Sequence, residues 1–173
     1  MRFLTSSRGV FFAIFVLCAA FMGYALYAQH GLGLQPCNLC ILQRYAMTGL
    51  GVVALVAALH GPRGWGIRVY GLLALLLAAS GAGVAYKHWT IQNLSPEEKL
   101  ALTCEAPLDF LLENKSIGDA LKVVFSGGGN CGDVDWLFLG LGMPAWVCIC
   151  FVGFALLILW RGLLAPRAVP ARA

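Results

Sequence analysis

The sequence predicts an all-α membrane protein, a four-helix transmembrane bundle with one short and one long loop on its outer face. Three observations lead there. Of its 173 residues, 60% are hydrophobic and only 12% charged, about half the roughly 25% charge of a soluble domain. The apolar residues gather into four runs, Gly9 to Ala28, Ile41 to Leu59, Val69 to Tyr86 and Pro144 to Trp160, each near the ~20 residues that cross hydrocarbon as a helix. The charges are segregated. Arg2, Arg8, Arg63, Arg68, Arg161, Arg167 and Arg172 lie at the two ends and between runs two and three, whereas all eight acids lie between Glu97 and Asp135. Backbone groups in lipid find partners only within their own segment, so runs of this length are helices and not strands.

The same charges predict orientation. With four crossings, the three arginine-bearing places share one side, which the positive-inside rule makes cytoplasmic. The loops at about 29–40 and 90–142 then face outward, both termini face inward, and residues 1–173 form a single transmembrane domain. The +4 net charge reflects arginines beside anionic lipid. A nucleic-acid partner would need a clustered basic surface on a folded domain, and none is visible.

Taken in order, the first run follows Arg2 and Arg8 as a secretory signal would. Its apolar stretch exceeds the roughly 7–15 residues of a signal core and no clear A-x-A site follows, so it is helix one. Gln29 to Pro36 is a short loop into helix two, whose first turn carries Cys37-Asn38-Leu39-Cys40. His60 to Arg68, with three glycines and Pro62, reads as a tight turn. Lys87 and His88 close helix three. In the long loop, Ser95-Pro96-Glu97-Glu98 has a capping serine, a proline at the first helical position and a glutamate that reaches back, so a short helix should precede Cys104. Ser126-Gly127-Gly128-Gly129-Asn130 before Cys131 is permissive backbone, suited to a thiol that travels between partners. Trp136 to Gly142 is apolar and aromatic, as in a stretch lying along the interface before helix four.

Seven cysteines sort by location. Cys18, Cys148 and Cys150 fall inside apolar runs, where cysteine behaves as a small packing residue, and positions i and i+2 do not face each other on a helix. Cys37, Cys40, Cys104 and Cys131 remain on the outer side, an even number in a compartment that permits disulfides. Structural staples would be the ordinary reading of such cysteines. A C-x-x-C at a helix start points instead to redox chemistry, since that arrangement favours a reactive thiolate. The positive end of helix two and Arg44, four residues after Cys40, both favour the charged form. Arg44 just inside a span needs a partner, whether headgroups reached by snorkelling or a thiolate and an electron-accepting ligand. His88 matters if helix three packs beside Cys40. Four cysteines could also bind zinc, but only one half has knuckle spacing, and no metal is expected. No phosphate loop or serine triad is present, and no acid lies in any span, which argues against a proton-coupled carrier.

These features together resemble the DsbB family of bacterial inner-membrane proteins. The resemblance rests on Pro36-Cys37-Asn38-Leu39-Cys40 with Arg44, Tyr86-Lys87-His88, Thr103-Cys104, and Asn130-Cys131 followed by Trp136 to Trp146. In that family, DsbA, DsbB and quinone keep the periplasm oxidising. The resemblance implies a Cys104–Cys131 disulfide attacked by a reduced DsbA-like partner, exchange of Cys131 with Cys37, and release of Cys40 as a thiolate beside ubiquinone or menaquinone. It also implies that Arg44 and His88 belong to the quinone site. A vitamin K epoxide reductase-like enzyme is the nearest alternative, but there the loop cysteines precede the C-x-x-C, whereas here Cys37 and Cys40 come first. A cysteine-ligated zinc adaptor is the alternative from another class; bound zinc with reduced thiols would mark it.

Overall fold

Three helices, α1 (Ser7–Gly31), α2 (Asn38–His60) and α3 (Trp65–Gln92), are long and apolar enough to cross a membrane. The computed structural model describes residues 6–101, 113, 116, 118, 119, 122, 123, 130–132 and 137–160. After α3 come a short helix, α4 (Pro96–Ala101), a 3-10 turn (Asn130–Gly132), two antiparallel two-residue strands, β1 (Leu137–Phe138) and β2 (Leu141–Gly142), and a shorter apolar helix, α5 (Met143–Ile158). The architecture is the helical membrane bundle predicted from composition and run length. Cys104, the glycines at 127–129 and Trp136 lie outside the described residues.

The long helices outrun the apolar runs that announce them. Hydropathy marks the stretch in contact with hydrocarbon, whereas backbone hydrogen bonding continues into the polar ends, so Gln29 and His30 remain in α1 and His88 in α3. By contrast α5 has 16 helical residues, roughly 24 Å at 1.5 Å per residue, followed by a π turn at Leu159 and Trp160.

The bundle is built small side in, large side out. Ala54, Ala57, Ala74, Ala78 and Ala85 are fully buried, while Leu59, Leu76, Tyr45 and Leu156 are exposed. Lipid offers apolar side chains as good a contact as another helix does, so membrane helices associate through small residues that let backbones approach. Gly81 is the tightest case: a Cβ there would stand 2.4 Å from the Phe151 ring of α5. Cys18 belongs to the same core, its Cβ facing Gly51 of α2, as a small packing residue would.

The helix ends are fixed by local chemistry. Gly61 adopts a left-handed conformation that closes α2, its N–H donating to the Ala57 carbonyl, the usual way a helix ends at glycine. Arg8 of α1 donates to the freed carbonyls of Ala58 and Leu59 at 3.0 and 2.9 Å. α4 starts as the sequence predicts: the Glu98 N–H donates to Ser95 Oγ, and the Ser95 N–H donates back to Glu98 Oε2 at 3.0 Å. The stretch predicted to lie along the interface contains the hairpin, with Leu137, Phe138 and Leu139 exposed at its tip. Trp146 ties it to α5 by donating to the Phe138 carbonyl at 3.0 Å.

Candidate thiol and ring-acceptor site

Pro36 ends the α1–α2 connection in extended backbone, and Cys37 caps α2. Its sulfur accepts the Cys40 N–H at 3.3 Å, in the place a serine or aspartate oxygen occupies at most helix starts. The main-chain donor at the start of α2 is spent on the Cys37 sulfur, and the Cys40 sulfur turns toward α3.

There it meets His88. The imidazole Nδ1 is 3.9 Å from Cys40 Sγ, Nε2 is 3.7 Å from Cys37 Sγ, and the two sulfurs are 3.0 Å apart as free thiols. The ring is almost wholly buried, at 3% exposure. Gln43 Nε2 stands 3.1 Å from Nδ1. With the amide donating, Nδ1 accepts and the ring proton sits on Nε2, facing Cys37.

Cys131 completes the group from the far side. It is fully buried on the 3-10 turn, packed with Leu39 of α2 and Ile91 of α3. The Cys37 thiol hydrogen-bonds to Cys131 as well as to Cys40, and these two bonds, with burial, push it far above the ordinary thiol range. Cys131 is lowered to about 7, chiefly because Cys37 donates to it, aided by the Leu39 N–H and opposed by burial. In the dithiol state the proton therefore stays on Cys37. The partner assigned to Cys131 by resemblance, Cys104, lies outside the described residues.

Arg44 does not reach the thiols. Its guanidinium donates to Gln29 Oε1 and, at 3.2 Å, to the Ala25 carbonyl, both on α1. Although Arg44 follows Cys40 by one helical turn, the long side chain bridges α2 to α1, and His88 is the group beside the sulfur. Gln29 and Gln43 are the site residues the sequence reading passed over. Gln43 carried a signal, a polar side chain in an apolar run three residues after Cys40, where an unpaired amide would be costly in lipid.

A cavity of about 270 Å³ opens between α1, α2, α3 and α5, with Cys37, Cys40, Gln43, Arg44 and His88 along one wall. Much of the rest is apolar, including Phe21, Met47 and Trp146. Such a space suits a flat, mostly apolar ring whose polar atoms meet a few fixed donors. Cys150 also lines it, whereas Cys148 donates to the Ala82 carbonyl at 3.7 Å. Cys37, Cys40 and His88 further offer three metal-ligating atoms within 4.8 Å of one another.

The family model described as Disulfide bond formation protein DsbB matches residues 7–161. The chain is 46% identical over 153 residues to "Disulfide bond formation protein B" of Azoarcus sp. (strain BH72), covering 88% of this chain and 90% of that protein. It is 45% identical over 161 residues to the protein of the same name from Methylococcus capsulatus, covering 91% and 97%. With that from Xanthomonas oryzae pv. oryzae the identity is 43% over 164 residues, 94% of each chain.

Proposed function

The chain belongs to the DsbB family of disulfide bond formation proteins, and from that premise we propose that it oxidises a DsbA-like periplasmic dithiol protein and passes the electrons to ubiquinone or menaquinone. In this reading it is a thiol:quinone oxidoreductase of the bacterial inner membrane, with both termini cytoplasmic and the redox loops periplasmic. One observation carries it. The sulfurs of Cys131, Cys37 and Cys40 adjoin in series, and the series ends at His88 and an apolar cavity among the helices.

Two electrons would travel as follows. A partner thiolate attacks a Cys104–Cys131 disulfide at Cys104, forming a mixed disulfide and freeing Cys131. The partner's second thiol displaces Cys104 and leaves as a disulfide. Cys131 attacks Cys37, the Cys37–Cys40 bond breaks, and Cys40 is freed as a thiolate facing His88. Cys104 then displaces Cys37 from Cys131, restoring the outer disulfide and leaving Cys37 and Cys40 reduced. Quinone supplies a sink for two electrons and two protons, which lets the Cys37–Cys40 bond re-form. His88 is placed to take the Cys40 proton at Nδ1 once Gln43 turns its amide so that the oxygen faces the ring. Arg44 and Gln43 supply donors for ring oxygens, and the apolar wall keeps water from the sulfurs.

The test is to mix purified protein with a reduced periplasmic dithiol protein and quinone and follow quinone absorbance together with free thiols. One quinone should be consumed for each pair of partner thiols lost. Quinone absorbance that holds steady while reduced partner is present would overturn the proposal.

A further inference from the structure

Cys37, Cys40 and His88 form a donor set that electron transfer alone does not require. The two sulfurs are 3.0 Å apart, and the ring nitrogens lie 3.7 Å from Cys37 and 3.9 Å from Cys40. Tetrahedral zinc, with Zn–S near 2.3 Å and Zn–N near 2.0 Å, holds its ligands roughly 3.5–3.8 Å apart. One ring nitrogen has to serve both sulfurs: the three ligating atoms, one from each residue, lie within 4.8 Å of one another, so the nitrogen closes on the sulfurs by no more than about 1.3 Å while the sulfurs part by less than about 1 Å. Gln43 stands 3.1 Å from Nδ1; with its amide turned so that the oxygen accepts the Nδ1–H, the ring proton leaves Nε2 free for the metal and Gln43 becomes the outer partner that orients a metal-bound histidine. A water can take the fourth position.

We propose that the reduced protein captures a thiophilic divalent cation, zinc above all, on Cys37, Cys40 and His88, and that capture arrests the enzyme before electrons leave the thiols. The cation displaces the thiol protons to solvent, and no electron moves. While it is bound, the lone pairs needed for the Cys37–Cys40 bond are held on the metal. In the disulfide state the sulfurs bear no thiolate and the site does not exist, so the metal selects the dithiol form. Arrest rests on the function proposed above; capture requires only the two thiols and the imidazole.

The experiment uses the full chain in lipid nanodiscs, reduced with a phosphine that is then removed, and titrated with Co²⁺ in the absence of quinone and partner. Reduced protein should take up one cobalt with strong near-ultraviolet thiolate-to-metal absorption that zinc abolishes by displacement, and oxidised protein should show none. Cys37→Ser and Cys40→Ser should each diminish the band, and His88→Ala should weaken binding by at least about tenfold. Because a substitution can unfold the bundle, the deciding comparison is reduced against oxidised wild type. Equal absorption in both states, or none in reduced protein whose thiols still titrate, overturns capture. Equimolar zinc should then halt quinone reduction until a chelator is added, and turnover unchanged by bound zinc overturns arrest. Cobalt capture in a protein that never reduces quinone would remove the proposed function and leave capture standing.

Discussion

Gln43 of α2 holds His88 of α3: the carboxamide Nε2 is 3.1 Å from the imidazole Nδ1, and both side chains are buried. This bond fixes the ring that lies beside the Cys37 and Cys40 sulfurs on the wall of the cavity. Gln43→Leu keeps the volume and removes the bond, leaving Nδ1 without its buried partner at a cost of about 1–3 kcal/mol. Quinone reduction should fall about tenfold, the equivalent of ~1.4 kcal/mol, with the KM for the dithiol partner unchanged. Turnover equal to wild type would mean that the amide does not position the ring.

Cys40 is the sulfur nearest the end of the series, and Cys104 is assigned by resemblance to its entrance. Cys40→Ser should abolish quinone reduction while the loop disulfide still forms, as thiol counting and non-reducing electrophoresis would read. Cys104→Ala should fail to trap a partner in a mixed disulfide. Wild-type turnover in either variant contradicts the route.

Arg44 joins α2 to α1 through Gln29 and the Ala25 carbonyl on the wall of the cavity. Hydrogen bonds from a charged group contribute about 1.5–3 kcal/mol. Arg44→Ala should therefore raise the KM for quinone several-fold and lower the unfolding temperature, without altering partner binding. Arg44→Lys should recover only part of both, since an ammonium lacks the planar fork. A side chain that merely snorkels to headgroups would give little change in either measurement.

What the sequence disclosed was what is local. Span lengths, the C-x-x-C and the Ser95–Glu98 cap each lie within one turn or one run, so residue pattern is enough to find them. The meeting of His88 with Cys40 joins residues on different helices, and it depends on how closely α2 and α3 approach over alanine and glycine. Arg44 shows the converse. Spacing along α2 placed its charge beside Cys40, but a long side chain can reach sideways, and Gln29 lay near enough to claim it. The hairpin was not legible because Leu139, at φ 52° beside Gly140 at φ 77°, is not a residue that ordinarily marks such a turn.

The close approach of α3 and α5 can be tested by one methyl group. A Cβ at Gly81 would lie 2.4–2.7 Å from three atoms of the Phe151 ring, whereas one at Gly83 would meet nothing within 4 Å. Overpacking of this kind costs about 1–3 kcal/mol. Gly81→Ala should unfold several degrees below wild type in detergent, and Gly83→Ala should match wild type. Equal unfolding temperatures for all three would refute the described contact.

Glu98 offers a pH test on the segment beside Cys131. Its carboxylate accepts hydrogen bonds from the Ser95 hydroxyl and N–H, which hold it below the ordinary carboxylate range. A folded-state value lower than the unfolded one gives stability that is present above the unfolded value and lost as pH falls through the folded one. The cap should thus be intact at neutral pH and loosen in acid. The amide of Lys99, which donates to the Ser95 carbonyl at 3.0 Å, should be better protected from hydrogen exchange in wild type than in Glu98→Gln at neutral pH. The two should converge as the carboxylate protonates, and a pH-independent ratio would exclude the cap as the cause. The effect bears on the thiols because the Lys99 stem lies against Gly132, a Cβ at which would be 3.3 Å from it. A loosened α4 removes one wall from the turn that keeps Cys131 against Cys37, so alkylation of Cys131, corrected for its thiolate fraction, should be faster in Glu98→Gln than in wild type at neutral pH, and the two rates should converge in acid.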